Sequence, residues 1–320
     1  VEMERRQFEE RLGRLEDARE ELLESRRALR EEASDREKDG DAAGAEHYRW
    51  QAEALLDGAD SLKEQIRQAG NAAGRMELRR MEDTMLWTAQ NLMGTYHSLE
   101  AEQAAASARA EAQKHLSEKV KDQEMLGSST SYHSQEAYQK WQSALNEYER
   151  LKKEQERVRQ ELLLLTGFSP DSPVVLEKMP LPDVSRAALV NPQEDRQQAL
   201  GNNYELRSGR MGNAGSNQEL HKKQRQTELD ENQMFASLET LGDQIRSCQA
   251  EWEAACAKEQ AQRAVWQSAV RKREQGTMAE GEYLEIYSQY MEEKGNQAQA
   301  SIRFLLAMEE YDWAKKGLMD

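Results

Sequence analysis

The chain has 320 residues, of which 38% are hydrophobic and 32% charged, and its acidic residues outnumber its basic ones 60 to 44, for a net charge of −16. A mean hydropathy of −0.98 is too polar for one large globular core, and no basic stripe runs through the sequence to suit nucleic acid or an anionic membrane surface. No run of about 18 apolar residues exists, so no transmembrane helix is expected; the longest cluster, Leu162–Leu165, is far too short. The apolar residues are periodic, which excludes disorder and points to long amphipathic helices burying narrow stripes. The first residues show no signal-peptide pattern. A start at Val1 fits a fragment or a processed protein, so nothing about destination follows.

Phe8, Leu12, Leu15, Leu22, Leu29 and Ala33 keep a three-four spacing and predict a helix over about 2–38. Asp39-Gly40-Asp41-Ala42-Ala43-Gly44 should break it. Tyr48, Ala52, Leu55, Ala59, Leu62, Ile66 and Ala69 restore the spacing, so residues 1–70 are expected to form a charged antiparallel hairpin ended by Gly70-Asn71-Ala72-Ala73-Gly74.

A long helix over about 75–125 follows, then a turn at Gly127-Ser128-Ser129-Thr130. The return helix, about 132–166, alternates fours and threes without a slip at Ala137, Trp141, Ala144, Tyr148, Leu151, Gln155, Val158, Leu162 and Leu165. It should stop at Gly167. This hairpin, 71–167, is the first of two. All five prolines lie between Pro170 and Pro192, so 168–192 is expected to be the one passage where helix cannot run.

The second hairpin, 193–320, repeats the plan. A helix is expected over about 193–210, ended by Gly212-Asn213-Ala214-Gly215, and a long one over about 217–274. Thr277-Met278-Ala279-Glu280 has capping-box spacing after Gly276. The last helix, about 279–317, carries Leu284, Tyr287, Met291, Ala298, Leu305 and Met308 on one seam, with Ile302, Leu306 and Trp313 on another. Two seams imply neighbours on both sides.

The hairpins are copies of one unit. Residues 85–138 and 234–287 align without a gap, with Met85/Met234, Leu92/Leu241, Ala101/Ala250, Ala105/Ala254, Ala106/Ala255, Ala112/Ala261, Gly127/Gly276 and Tyr138/Tyr287 among the identical pairs. The recurring alanines point to close helix packing. The glycines Gly70 and Gly212 are offset by seven residues fewer than Gly127 and Gly276, a one-heptad difference that keeps a seam facing the same way.

Candidate chemistry is sparse. His47, His97, His115, His133 and His221 are scattered, and Tyr96-His97 should face different sides of their helix. No metal-ligand spacing, phosphate loop or nucleophile motif appears, so no catalytic residue, cofactor or metal is expected. Cys248 and Cys256 sit eight apart on one helix, too far to bridge, and read as packing residues. Lys119, Lys121, Arg271, Lys272 and Arg273 precede the two glycine turns, suiting either helix C-termini or an acidic partner. Trp50 and Trp87 could line a surface; the other tryptophans read as core.

The return helices, from Gly127 to Leu162-Leu163-Leu164-Leu165-Thr166-Gly167 and from Gly276 through Tyr283-Leu284 to Tyr311-Asp312-Trp313-Ala314-Lys315-Lys316-Gly317, resemble the TolC or outer membrane efflux protein family. The proline-rich passage leading to Ala199-Leu200-Gly201-Asn202-Asn203-Tyr204-Glu205-Leu206 adds to the resemblance, which covers about 76–318. The resemblance implies an all-α protein of elongated, internally duplicated coiled-coil hairpins. It implies three chains closing a helical tunnel in the cell envelope, outside the cytoplasm. The turns Gly127, Ser128, Ser129, Thr130 and Gly276, Thr277, Met278 would then meet an adaptor protein of an efflux or secretion system. Ala279 departs from the hydroxyl residue usual there. The spanning strands of the family would fall at Gly70–Gly74 and Gly212–Ser216, which are too short for them, so a helical body without a membrane barrel is expected. The alternative is a coiled-coil scaffold or interaction protein that transports nothing.

Overall fold

The computed structural model describes residues 2–38, 41–69, 72–211 and 215–319. Its helices are α1 (Glu2–Lys38), α2 (Ala42–Ala69), α3 (Ala72–Met125), α4 (Ser131–Leu165), α5 (Val184–Ala188), α6 (Pro192–Asn202), α7 (Tyr204–Met211), α8 (Asn217–Glu274) and α9 (Glu280–Lys316). No strand occurs among the described residues, and no described helix is long and apolar enough to cross a membrane. The expected breaks at Asp39-Gly40, Gly70-Asn71 and Gly212–Ala214 lie outside the described residues.

Two compact units make up the chain. The first comprises Val1–Met85 with Arg207–Asn213. Its α1–α2 hairpin is held by a small residue every seventh position of α2: Ala45, Ala52 and Ala59 are buried, as is Ala33 on α1. Small side chains at heptad spacing let two helices approach closely. Gly58 faces Leu22, and Arg49 pairs with Glu37. Gly44, expected in the break, lies inside α2 instead. Asp41 moves the start forward by capping it, accepting the Gly44 N–H at 3.0 Å while its carbonyl takes the Ala45 N–H.

The second unit comprises Leu86–Leu206 with Ala214–Asp320. Its helices lie side by side in the order α4, α3, α9, α8. Between α3 and α4 runs a groove lined by Ala106, Arg109 and Gln113 on one side and Lys140, Ala144 and Glu147 on the other. α3 meets α9 where a Cβ on Gly94 would touch Leu306 at 2.7 Å and Ile302 at 3.2 Å, and one on Gly295 the Ala101 carbonyl at 3.3 Å. α9 meets α8 through Trp252 against Phe304 and Trp266 stacked on Tyr290 at 4.7 Å. The two seams expected on α9 are thus both occupied, one by each neighbour. On α4, Ala137, Leu151, Val158 and Leu162 of the expected seam are buried.

The expected single helix over 193–210 is two, α6 and α7. Asn203 separates them, wholly buried, accepting the Leu206 N–H at 2.9 Å and donating to the Met319 carbonyl at 3.2 Å. Tyr204 N–H reaches the Gly317 carbonyl and Asn202 Nδ2 the Lys315 carbonyl. The end of α9 is therefore locked to the start of α7. Gly317 permits this with φ +116°; a Cβ there would lie 2.4 Å from the Asn202 carbonyl. Beside the lock, Phe304, Met308, Tyr311, Leu238 and Ile245 form the main core with α6, each worth about 1.5–3 kcal/mol of burial.

Gly317→Ala should lower unfolding stability by about 2–4 kcal/mol, read by denaturant melts. Gly201→Ala, in α6 with nothing within 4 Å of a Cβ, should instead raise it by about 0.5–1 kcal/mol. Equal effects at both positions would contradict the lock.

Candidate functional site

The first hairpin turn closes α3 with Gly127 at φ +71°. Gly127 N–H bonds the Glu124 carbonyl at 2.9 Å, and Ser128 N–H the Gln123 carbonyl at 2.8 Å. The second turn closes α8 with Gly276 at φ +68°. Gly276 N–H bonds the Arg273 carbonyl at 2.9 Å, and Thr277 N–H the Lys272 carbonyl at 2.9 Å. Both are left-handed glycine caps that satisfy otherwise orphaned helix carbonyls. The hydroxyls match as well: Ser128 Oγ donates to the Gln123 carbonyl and Thr277 Oγ1 to the Lys272 carbonyl, each at 3.0 Å. These bonds of the first turn have counterparts 149 residues on, so the duplication is carried down to single hydrogen bonds; the Ser129 N–H bond to the Gln123 carbonyl at 3.1 Å belongs to the first turn alone among the described residues.

The turns part company at the next helix. Thr130 caps α4, accepting the His133 N–H, whereas Ala279 caps α9 with no side-chain bond. The expected capping box at Thr277–Glu280 does not form. Thr277 is spent on the end of α8, and Glu280 instead takes a 2.8 Å bond from Arg273, whose guanidinium also covers the Tyr283 ring at 4.2 Å. The expected basic cluster thus splits: Arg273 staples the second turn, while Lys119, Lys121, Arg271 and Lys272 remain exposed.

Gly127, Ser128, Ser129 and Thr130 sit together in one turn and Gly276, Thr277 and Met278 in the other. Both turns lie at one end of the second unit, where Gly281 at the start of α9 packs on His115 near the end of α3. The first carries apolar surface: Met125, Leu126 and Tyr132 are 71%, 82% and 71% exposed.

Sequence reasoning missed the belt across the helices. The proline-rich passage is fastened in turn to α4, α3, α9 and α8. Arg159 of α4 donates to the Ser172 and Val174 carbonyls at 2.6 and 3.2 Å. His97 of α3, buried, donates from Nε2 to the Glu177 carbonyl at 2.8 Å, with Glu100 at its other nitrogen. Arg186 of α5 pairs with Glu309 at 2.8 Å and with Asp312, both on α9. Pro192 fills the space over Gly242 of α8. The short α5 lies inside the passage expected to hold no helix; Asp183 starts it by accepting the Ser185 N–H at 2.9 Å. Tyr96 and His97, expected on different sides of α3, meet edge to face at 5.1 Å.

The recurring alanines behave unequally. Ala106, Ala108 and Ala110 of α3 are buried, and Ala101 and Ala105 receive Gly295. Ala250, Ala254 and Ala257, the counterparts of Ala101, Ala105 and Ala108, are exposed, as is Ala261, whereas Ala255, the counterpart of Ala106, is half-buried and Ala110 has the buried Glu259 in its place. Close packing therefore holds in one copy only, because α3 lies inside the row and α8 at its edge. Cys248 and Cys256 are free and half-buried; Cys248 packs against the main core, and burial pushes its thiol above the ordinary range. Trp50 is 68% exposed. Among the described residues no group of three His, Cys, Asp or Glu is placed to hold a metal.

No protein-family model matches the chain, and no curated protein matches it by sequence. Solved structures do. A crystal structure of CusC, from work on its folding and transmembrane channel formation, covers 95% of this chain and 97% of its own at 13% identity and a TM-score of 0.54. The outer-membrane channel OprN matches over 82% and 72% at 13% identity and 0.48. The Campylobacter jejuni outer membrane channel CmeC matches over 84% and 68% at 16% and 0.39. The chain has the all-helical, duplicated-hairpin form of the TolC-like fold.

Gly127→Ala and Gly276→Ala should each cost about 1–2 kcal/mol through backbone conformation alone, while Ala279→Ser, by supplying the missing cap, should gain about 1 kcal/mol. Thermal melts of the three variants read this; a loss at Ala279→Ser would contradict the assignment of that position as a vacant cap.

Proposed function

We propose that this chain is a TolC-like component of an efflux or secretion system in the cell envelope. Copies join edge to edge, α8 of one against α4 of the next, and three close a helical tunnel. The turns Gly127–Thr130 and Gly276–Met278 form its entrance and dock an adaptor.

The observation that carries this reading is the mismatch between the duplicated alanines. Within one chain, the first helix of one hairpin (α3) packs through its alanines on the second helix of the other (α9). Exchanging the two hairpins turns that contact into α8 against α4. In the single chain those two helices are the edges of the row, and Ala250, Ala254, Ala257 and Ala261 of α8 face solvent. A contact of this head-to-tail kind repeats from copy to copy and closes a ring when the rotation allows. The mechanism is geometric and needs no bond chemistry. The exposed Met125, Leu126 and Tyr132, with the exposed Lys119 and Lys121 on the preceding turns of α3, supply an apolar tip with a basic rim for a partner's acidic end.

The assembly should run at three times 36.8 kDa in sedimentation, and Ala250→Arg/Ala254→Arg should reduce it to one chain with unchanged helicity. A wild-type monomer at every concentration would contradict the tunnel. Separately, Met125→Asp/Leu126→Asp should weaken adaptor binding or transport about tenfold or more without altering the melt. Undiminished transport in that variant would remove the turns from the docking role.

A further inference from the structure

We propose that the α1–α2 hairpin carries a binding groove for a phosphate-class oxyanion, formed by Arg26, Arg30 and Ser34 of α1 with Arg49 of α2. The groove has a volume of about 470 Å³, and all four residues line it together with Glu37 and Glu53. Arg26, Arg30 and Ser34 follow one another at four-residue steps, so they stand on one face of α1 over about two turns. The Nε of Arg26 is buried and has no acceptor among the described residues. No carboxylate pairs with Arg26 or Arg30 among the described residues, whereas Arg49 is held by Glu37.

A buried guanidinium N–H without an acceptor is costly and calls for a partner. The chain is acidic overall, at −16, yet no carboxylate pairs with these two arginines among the described residues, whereas Arg36 pairs with Glu32 and Arg49 with Glu37. A group that satisfies two guanidinium forks and a hydroxyl at once needs more than two acceptor oxygens. A carboxylate has two; a phosphate monoester or diester has the additional oxygens and the tetrahedral spread. The source could be a soluble phosphate or a lipid headgroup, which present the same oxygens.

Arg19 separates binding from packing. It lies one heptad before Arg26, and its Nε is likewise buried without a partner, but it does not line the groove. Both stems cross the alanine seam, so Arg19→Met and Arg26→Met should shift the thermal midpoint alike. The full chain is titrated calorimetrically with inorganic pyrophosphate and, in a second arm, sedimented with vesicles containing phosphatidylglycerol. Arg26→Met/Arg30→Met should weaken binding about tenfold or more, while Arg19→Met leaves it unchanged. Binding in the first arm identifies a soluble phosphate, and binding in the second alone a lipid headgroup. Absence of binding in both arms, or equal binding by the Arg26→Met/Arg30→Met variant, overturns the proposal.

Discussion

The close approach of α3 and α9 is the constraint on which the second unit depends. Gly94 admits Leu306 and Ile302, and Gly295 comes against the Ala101 backbone. A methyl group on Gly94 would displace the Leu306 side chain, and one on Gly295 would press on the Ala101 carbonyl. This contact joins the two hairpins, since α3 belongs to one and α9 to the other. Polar bonds mark the same line: Gln299 to Glu102 at 2.8 Å, Arg109 to Glu292 at 3.1 Å and Trp313 Nε1 to Gln90 at 2.6 Å. With the hairpins fixed side by side, the passage between Pro170 and Pro192 has a surface to cross, and its carbonyls find Arg159 and His97.

Much of this was legible in the sequence because the governing information is periodic. Heptad seams placed α4 and α9 correctly, and the two seams of α9 correctly foretold neighbours on both sides. The identity of Gly127 and Gly276 within aligned copies foretold equivalent turns, and the matched Ser128 and Thr277 bonds confirm that equivalence. What escaped was non-local. Asn203 breaks a helix because its side chain finds Met319 at the other end of the unit, and no local pattern signals that. Arg159 and His97 lie off the seams and look like ordinary surface residues until the passage returns over them. The capping box failed for a related reason: Thr277 had two possible uses, and closing α8 took precedence.

The alanines show how a duplicated sequence can hold an asymmetric structure. Ala101, Ala105 and Ala108 are packed in α3 while their counterparts Ala250, Ala254 and Ala257 are exposed in α8, because position in the row, not local sequence, decides their burial. In the proposed assembly a second copy would supply the missing neighbour, which links the internal packing of one chain to that proposal. In the first unit the small residues of α2 serve a different end. They bring α1 close enough that long arginine stems lie across the seam, leaving guanidinium groups at its margin.

The side-by-side order of the four helices is the central claim, and the distance across them tests it most directly. Spin labels at Lys153 of α4 and Lys258 of α8, with both native cysteines replaced by serine and labelled chains diluted in unlabelled ones, would report that span by dipolar spectroscopy. Three interaxial steps of about 8–10 Å place the helix axes about 24–30 Å apart, so a single narrow distribution slightly above that range is expected. A broad distribution, or one centred beyond about 50 Å, would show that the hairpins do not share one row and would contradict the account.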